Sequence, residues 1–186
     1  MAVAVANTQT YQNTGNGATQ TLTSYTPAAG SNRILVVRVH GLRTSTSGAF
    51  TVDSVTFGGV SMTQAVTEST AVSGKTYRSA IWYLINPSSS SGNVVATFSH
   101  QSNSTILAAS TLTGAAQTSP VSSTDTDYND GSIAYLTLQL SGTFPSGSVG
   151  VYIITTHCGQ NPTFSWTLPF TEEYDIRAGT NTSTEV

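Results

Sequence analysis

The sequence predicts an all-β protein, a sandwich or barrel of about ten antiparallel strands. Three observations predict it. From Thr21 to about Trp166, short runs rich in Val, Ile, Thr, Tyr and Phe alternate apolar with polar residues, and clusters of Gly, Pro, Ser and Asn separate them. No longer stretch carries the 3.6-residue period and caps of a helix, which limits helix to a turn or two. No clean internal repeat argues for a propeller or solenoid.

Residues 1–20 are mainly Ala, Asn, Gln, Thr and Gly with little to bury, and are expected to form a polar N-terminal arm that a partner orders. Residues 21–186 are expected to form a single β-sandwich domain. Thr21 to Thr26 alternates as a strand, and Pro27 to Asn32 makes a loop. Arg33 to Leu42, RILVVRVHGL, is a long central strand with Arg38 and His40 on the face opposite Val37 and Val39. Phe50 to Phe57 and Val60 to Val66 are joined through Gly58-Gly59, a hairpin signal because primed turns need positive φ. Arg78 to Ser99, RSAIWYLINPSSSSGNVVATFS, places the strands Tyr77 to Ile85 and Asn93 to Ser99 as a pair about an Asn-Pro-Ser turn. Each of these strands is expected to bury one face and solvate the other. Ile106 to Thr113, Ile133 to Leu140, Val149 to Thr156 and Thr163 to Leu168 complete the set, and no strand signal follows Leu168.

A chain of 186 residues buries roughly 70% of its unfolded surface and needs neither metal nor disulfide to fold. Its polar surface is one of 32 Thr and 26 Ser against 15 charged residues, a composition unusual for a soluble cytoplasmic enzyme and common in β proteins of fixed assemblies. With a net charge of -3 and six scattered cations, no basic stripe exists to neutralise a phosphate backbone, so nucleic acid is not an expected partner. Cys158 is the only cysteine and forms no intrachain disulfide. MAVAVANTQT lacks a positive region and has an apolar stretch too short for a signal-peptide core; either the chain is used without export or the sequence lacks its leader. No run approaches the roughly 18 apolar residues of a membrane span, so no membrane partner is expected.

The succession ILVVRVHGL, DSVTFGGVSMTQAV, RSAIWYLINPSSSSGNVVATFS and STLTGAAQTSPV resembles a jelly-roll module of uncharacterised bacterial surface proteins and phage structural proteins. That module has a strand ending in a Gly-Gly hairpin, an Ile-Trp-Tyr-Leu turn with Asn-Pro, and a later segment ending in Pro. The resemblance spans about residues 20–170. It implies a jelly-roll-like antiparallel β-sandwich and names no activity.

The strongest local chemical signal is Asp125-Thr126-Asp127-Tyr128-Asn129-Asp130-Gly131, where Asp125, Asp127, Asn129 and Asp130 are candidate ligands for calcium. It is not an EF-hand, because the Gly falls one place late and Leu136 stands where the bidentate Glu would be. The same residues make an acidic turn before the strand at Ile133, and no other cofactor is expected. His40, His100 and His157 have no second ligand at metal-site spacing, although sheet pairing offers a way to bring His40 and His157 together. His157 and Cys158 would point to opposite faces of a strand, which separates a base from its nucleophile. Glu172, Glu173 and Asp175 read as a solvated loop rather than a glycosidase pair, and no G-x-S-x-G elbow occurs. The aromatics Tyr77, Trp82, Tyr83, Tyr128, Tyr135, Tyr152, Phe164 and Trp166 are candidates for a sugar platform, with core the expected place for Trp82. Asn103-Ser104-Thr105 and Asn181-Thr182-Ser183 match the glycosylation pattern.

No acid, base and nucleophile set emerges, so the expectation is a protein that is not an enzyme. The reading is a virion structural protein, a phage capsid decoration or tail-associated protein whose partners are capsid or tail protein and copies of itself. The alternatives are a carbohydrate-binding or adhesion module of a bacterial surface protein, with a glycan as ligand, and an extracellular filament subunit. In those cases the location is the cell surface or the medium. With no strand after Leu168, one sheet edge is expected to stand open for another copy, a shell protein or a neighbour's N-terminal arm.

Overall fold

Strands build the chain throughout the computed structural model, which describes residues 2–126, 146–157, 175–177 and 182–185. In order they are β1 (Ala4–Asn13), β2 (Gly17–Tyr25), β3 (Ile34–Arg43), β4 (Val52–Phe57), β5 (Val60–Ser61) and β6 (Thr63–Val72). Then follow β7 (Lys75–Ile85), β8 (Gly92–Ser102), β9 (Ser104–Thr113), β10 (Ile154–His157), β11 (Asp175–Arg177) and β12 (Thr182–Glu185). The strands expected at Ile133 to Leu140 and Thr163 to Leu168 lie outside the described residues.

One sheet has the order β1, β9, β3, β7, β6 and the other β2, β8, β4, β5, with every pairing antiparallel. Strands consecutive in the chain, β1 and β2, β3 and β4, β8 and β9, therefore sit in opposite sheets. Leaving β6 aside, two four-stranded sheets interleaved in this way are a jelly roll. The two inner faces meet in a core that includes Leu35, Val37, Val39, Val55, Trp82, Val94, Phe98 and Leu107. These residues recur at every second position along their strands, so the period-2 pattern fixes which side is inward.

Five expectations change. The segment read as an arm holds the first jelly-roll strand: Ala4–Asn13 pairs along its length with β9, with one irregularity between Val5 and Asn7. Its polar side chains do not need a partner protein, because they zip the edge of the sandwich to β2. The Asn7 amide donates to Thr26 O at 2.8 Å, the Gln9 amide to Thr23 O at 3.1 Å, and the Asn13 amide and Tyr11 hydroxyl to Gln20 Oε1 at 2.8 and 3.2 Å. Committed to its own sheet, this strand is not available to cover a neighbour's edge.

The strands about Asn86-Pro87 do not pair with each other, since β7 lies in the first sheet and β8 in the second. Asn86 takes φ 49° and its N–H is held by Arg33 O at 2.9 Å, while Pro87 O accepts from the Arg33 guanidinium at 2.9 Å. This corner carries the chain across the sandwich, where a two-residue hairpin would have kept it in one sheet. The single strand expected from Val60 to Val66 is two. After the Gly58-Gly59 turn, Met62 is buried with its N–H on Val55 O at 2.9 Å, and the chain changes sheets there to continue as β6. Beyond Leu168, β11 and β12 are strands, paired with each other, and β12 pairs with β10.

The last change concerns solvation. β3 and β9 are buried on both faces, because a further segment crosses the outer face of the five-stranded sheet. Val151 and Ile153 pack there on a cluster of Ile34, Val36, Ile81, Leu112 and Ala115.

Candidate functional site

Where that outer face turns polar lies a group of hydrogen-bonded polar side chains around a buried histidine. Residues at every second position of β3 after Ile34 and Val36 are Arg38 and His40, and both are buried. The register sets His40 beside Ser79 of β7 and Ile106 of β9, and sets Ser79 beside Glu68 of β6. From above, Thr155 of β10 reaches the same spot. His40 Nδ1 lies 3.1 Å from Thr155 Oγ1 and 3.3 Å from Ser79 Oγ, and those two hydroxyl oxygens are 3.0 Å apart. The ring stacks on Tyr77 with centroids 6.3 Å apart. Two positions along, the Arg38 guanidinium donates to Ser110 Oγ, which shares a hydrogen bond of 2.7 Å with Thr8 Oγ1 of β1.

Burial governs the electrostatics. Enclosure with no exposed surface pushes the His40 pKa down to about 4, so the imidazole is neutral at pH 7. Burial raises the Tyr77 phenol to about 12 and lowers the Arg78 guanidinium, against the opposing pull of Glu68. A general base must come within hydrogen-bond reach of the proton it takes from a substrate. Here Nδ1 is taken by hydroxyls, and Nε2 is buried with no partner among the described residues. The arrangement joins sheet to cover through the Ser79 and Thr155 hydroxyls.

Of the candidate calcium ligands, Asp125 is exposed and its carboxylate accepts from Thr126 N at 2.9 Å. Asp127, Asn129 and Asp130 lie outside the described residues, as do Cys158, Glu172 and Glu173. Among the described residues no group of three or more His, Cys, Asp or Glu stands close enough to hold a metal ion. β10 does bring its end near His40, with Thr155 as the described side chain that makes contact. His100 lies apart, exposed beside Ser99 at 3.1 Å. Among the aromatics, Tyr77 and Trp82 are buried and Tyr83 and Tyr152 half-buried, while Tyr128, Tyr135, Phe164 and Trp166 lie outside the described residues. Asn103 is a turn residue whose Oδ1 accepts from Thr44 N at 2.7 Å and whose amide donates to Asn16 Oδ1 at 2.7 Å.

At this face and its edge, two features escaped sequence reasoning. One is the His40 cluster, whose signal was present as two polar residues alternating within RILVVRVHGL. The other is β6 beyond Val66, where TESTAV has little apolar alternation to announce a strand. Beside its start lies a shallow open groove of about 330 Å³, lined by Gln64, Ala65, Tyr83 and Val121 to Thr124.

Comparison with protein-family models, with curated proteins and with solved structures gave no match. The class of the protein, an antiparallel jelly-roll sandwich, rests on its own strand order. Among the described residues no helix is long and apolar enough to cross a membrane.

Proposed function

We propose that this chain is a non-enzymatic structural protein of a virion, a phage capsid decoration or tail-associated protein that works by contact with capsid or tail protein and with copies of itself. The observation that carries the reading is the edge strand β6. It is ten residues long, pairs among the described residues only with β7, and holds one charge, Glu68, and no proline. Exposed edges are ordinarily blunted by Lys, Pro or short length to stop them templating another strand. On the opposite flank β1 and β2 are zipped together by their own side chains, so β6 is the flank fitted to receive a strand. The Ser- and Thr-rich surface and the resemblance to phage structural modules support the same reading.

Sedimentation velocity and electron microscopy of the purified chain test it. The wild type is expected to form a regular lattice or multimer, and Ser69→Lys with Ala71→Lys on β6 is expected to abolish it with the melting midpoint unchanged. A stable monomer that binds glycans would instead favour a carbohydrate-binding module. Association unaffected by the two lysines would remove β6 from the mechanism.

A further inference from the structure

The buried imidazole joins two parts of the chain 115 residues apart, the central strand of the sheet and the segment that covers it. We propose that His40 is an acid-sensitive latch: its protonation releases residues 151–157 from the outer face of the five-stranded sheet while the jelly roll beneath stays folded. This goes beyond the virion reading and does not depend on it.

The geometry supplies the reasons. On β3, Arg38 stands two positions away on the same face and is fixed in place by its bond to Ser110, so a second positive charge arrives beside an existing one. From β7 come the Tyr77 ring and the Ser79 hydroxyl, from β9 the apolar Ile106, and from β10 the Thr155 hydroxyl. The carboxylate in this row is Glu68 of β6, one strand beyond Ser79. It accepts from Ser69 N at 2.9 Å and acts on Arg78, and makes no hydrogen bond to the imidazole. Protonated His40 would have two N–H donors, with Nε2 enclosed and lacking an acceptor among the described residues. Burying an uncompensated charge is costly, and opening relieves that cost in exchange for hydroxyl contacts and the seats of Val151 and Ile153. The cover is the part able to leave, because among the described residues 154–157 pair their backbone with β12 and not with the five-stranded sheet, and the backbone bond from residues 146–153 to that sheet's flank is Val3 N to Gly147 O at 3.2 Å; once off the sheet, strands this short have no core of their own to keep them paired. Beneath it, β3 is paired along both edges.

The sign follows from linkage. The closed form holds its proton only near pH 4, whereas an opened, solvated His binds one near 6.5. The open population should therefore rise roughly fortyfold between pH 6.5 and 4.5.

Hydrogen exchange of residues 151–157 over that pH range, corrected for intrinsic rates, with the His40 ring followed by NMR, tests the proposal on the intact chain. The expected result is that protection of these residues falls by roughly that factor while β3 and β7 amides stay protected, and that the His40 ring titrates only as they open. His40→Gln is expected to remove the pH dependence, and His157→Gln to keep it. An acid response unchanged in His40→Gln, or abolished in His157→Gln, would overturn the proposal. So would a His40 ring that titrates near 6.5 with the cover still protected; this wild-type measurement decides the matter even where His40→Gln does not fold.

Discussion

Gly41 leaves no room for a Cβ. It sits on the inner face of β3, where an added methyl carbon would come within 2.6 Å of Phe98 Cε1 and 3.1 Å of Phe50 Cζ. Those two rings are stacked with centroids 5.3 Å apart and are both almost fully buried, so neither has free space to yield. Gly41→Ala should cost about 1–3 kcal/mol through overpacking, read as a lower urea midpoint with the slope unchanged. Equal stability would show that the ring pair slides at little cost. The sequence places this glycine inside a strand and not in a turn, but the reason for it lies on β8 and before β4. Tyr25 repeats the lesson: its ring is core, yet its hydroxyl meets Thr111 Oγ1 at 2.7 Å and Asn7 Oδ1 at 2.9 Å, partners 86 and 18 residues away.

Strands were legible wherever one face was apolar, and illegible where polar side chains found partners within the protein. β3, β4, β7, β8 and β9 stand within three residues of their expected bounds at each end, since each contributes alternate residues to the core. β1 was missed for a specific reason. Asn7, Gln9 and Asn13 spend their amides on Thr26, just past β2, and on β2 itself, and a bonded amide looks no different in sequence from a solvated one. Deleting residues 2–14 should therefore abolish the cooperative unfolding transition rather than merely weaken an assembly contact, because it uncovers β9 along nine paired residues. A truncated chain that melted at the wild-type temperature would return this segment to the status of an arm. The corner at Asn86-Pro87 shows the matching limit for connections: two strands and a turn do not reveal whether the chain stays in one sheet.

At the scale of the whole molecule, His40 couples stability to pH. Its folded pKa is lowered to about 4 from an unfolded value near 6.5, so the neutral form is the one that stabilises. That contribution is complete above about pH 6.5 and is lost as pH falls toward 4, by at most on the order of 3 kcal/mol, local opening of the cover setting the ceiling. Urea unfolding at pH 7 and at pH 4.5 should show a steeper loss in the wild type than in His40→Gln; parallel losses would assign the acid sensitivity to carboxylates. The sequence by itself determined the all-β class, the inward side of the core strands and the poverty of charge, because alternation and composition are local quantities set by whether a side chain meets water. Only the tertiary structure decided that Ala4–Asn13 is the first strand of a jelly roll, that β7 and β8 part into different sheets, and that Arg38 and His40 lie beneath a cover. Those depend on which strand lies beside or above which, and a period of two residues specifies a face without specifying its neighbour.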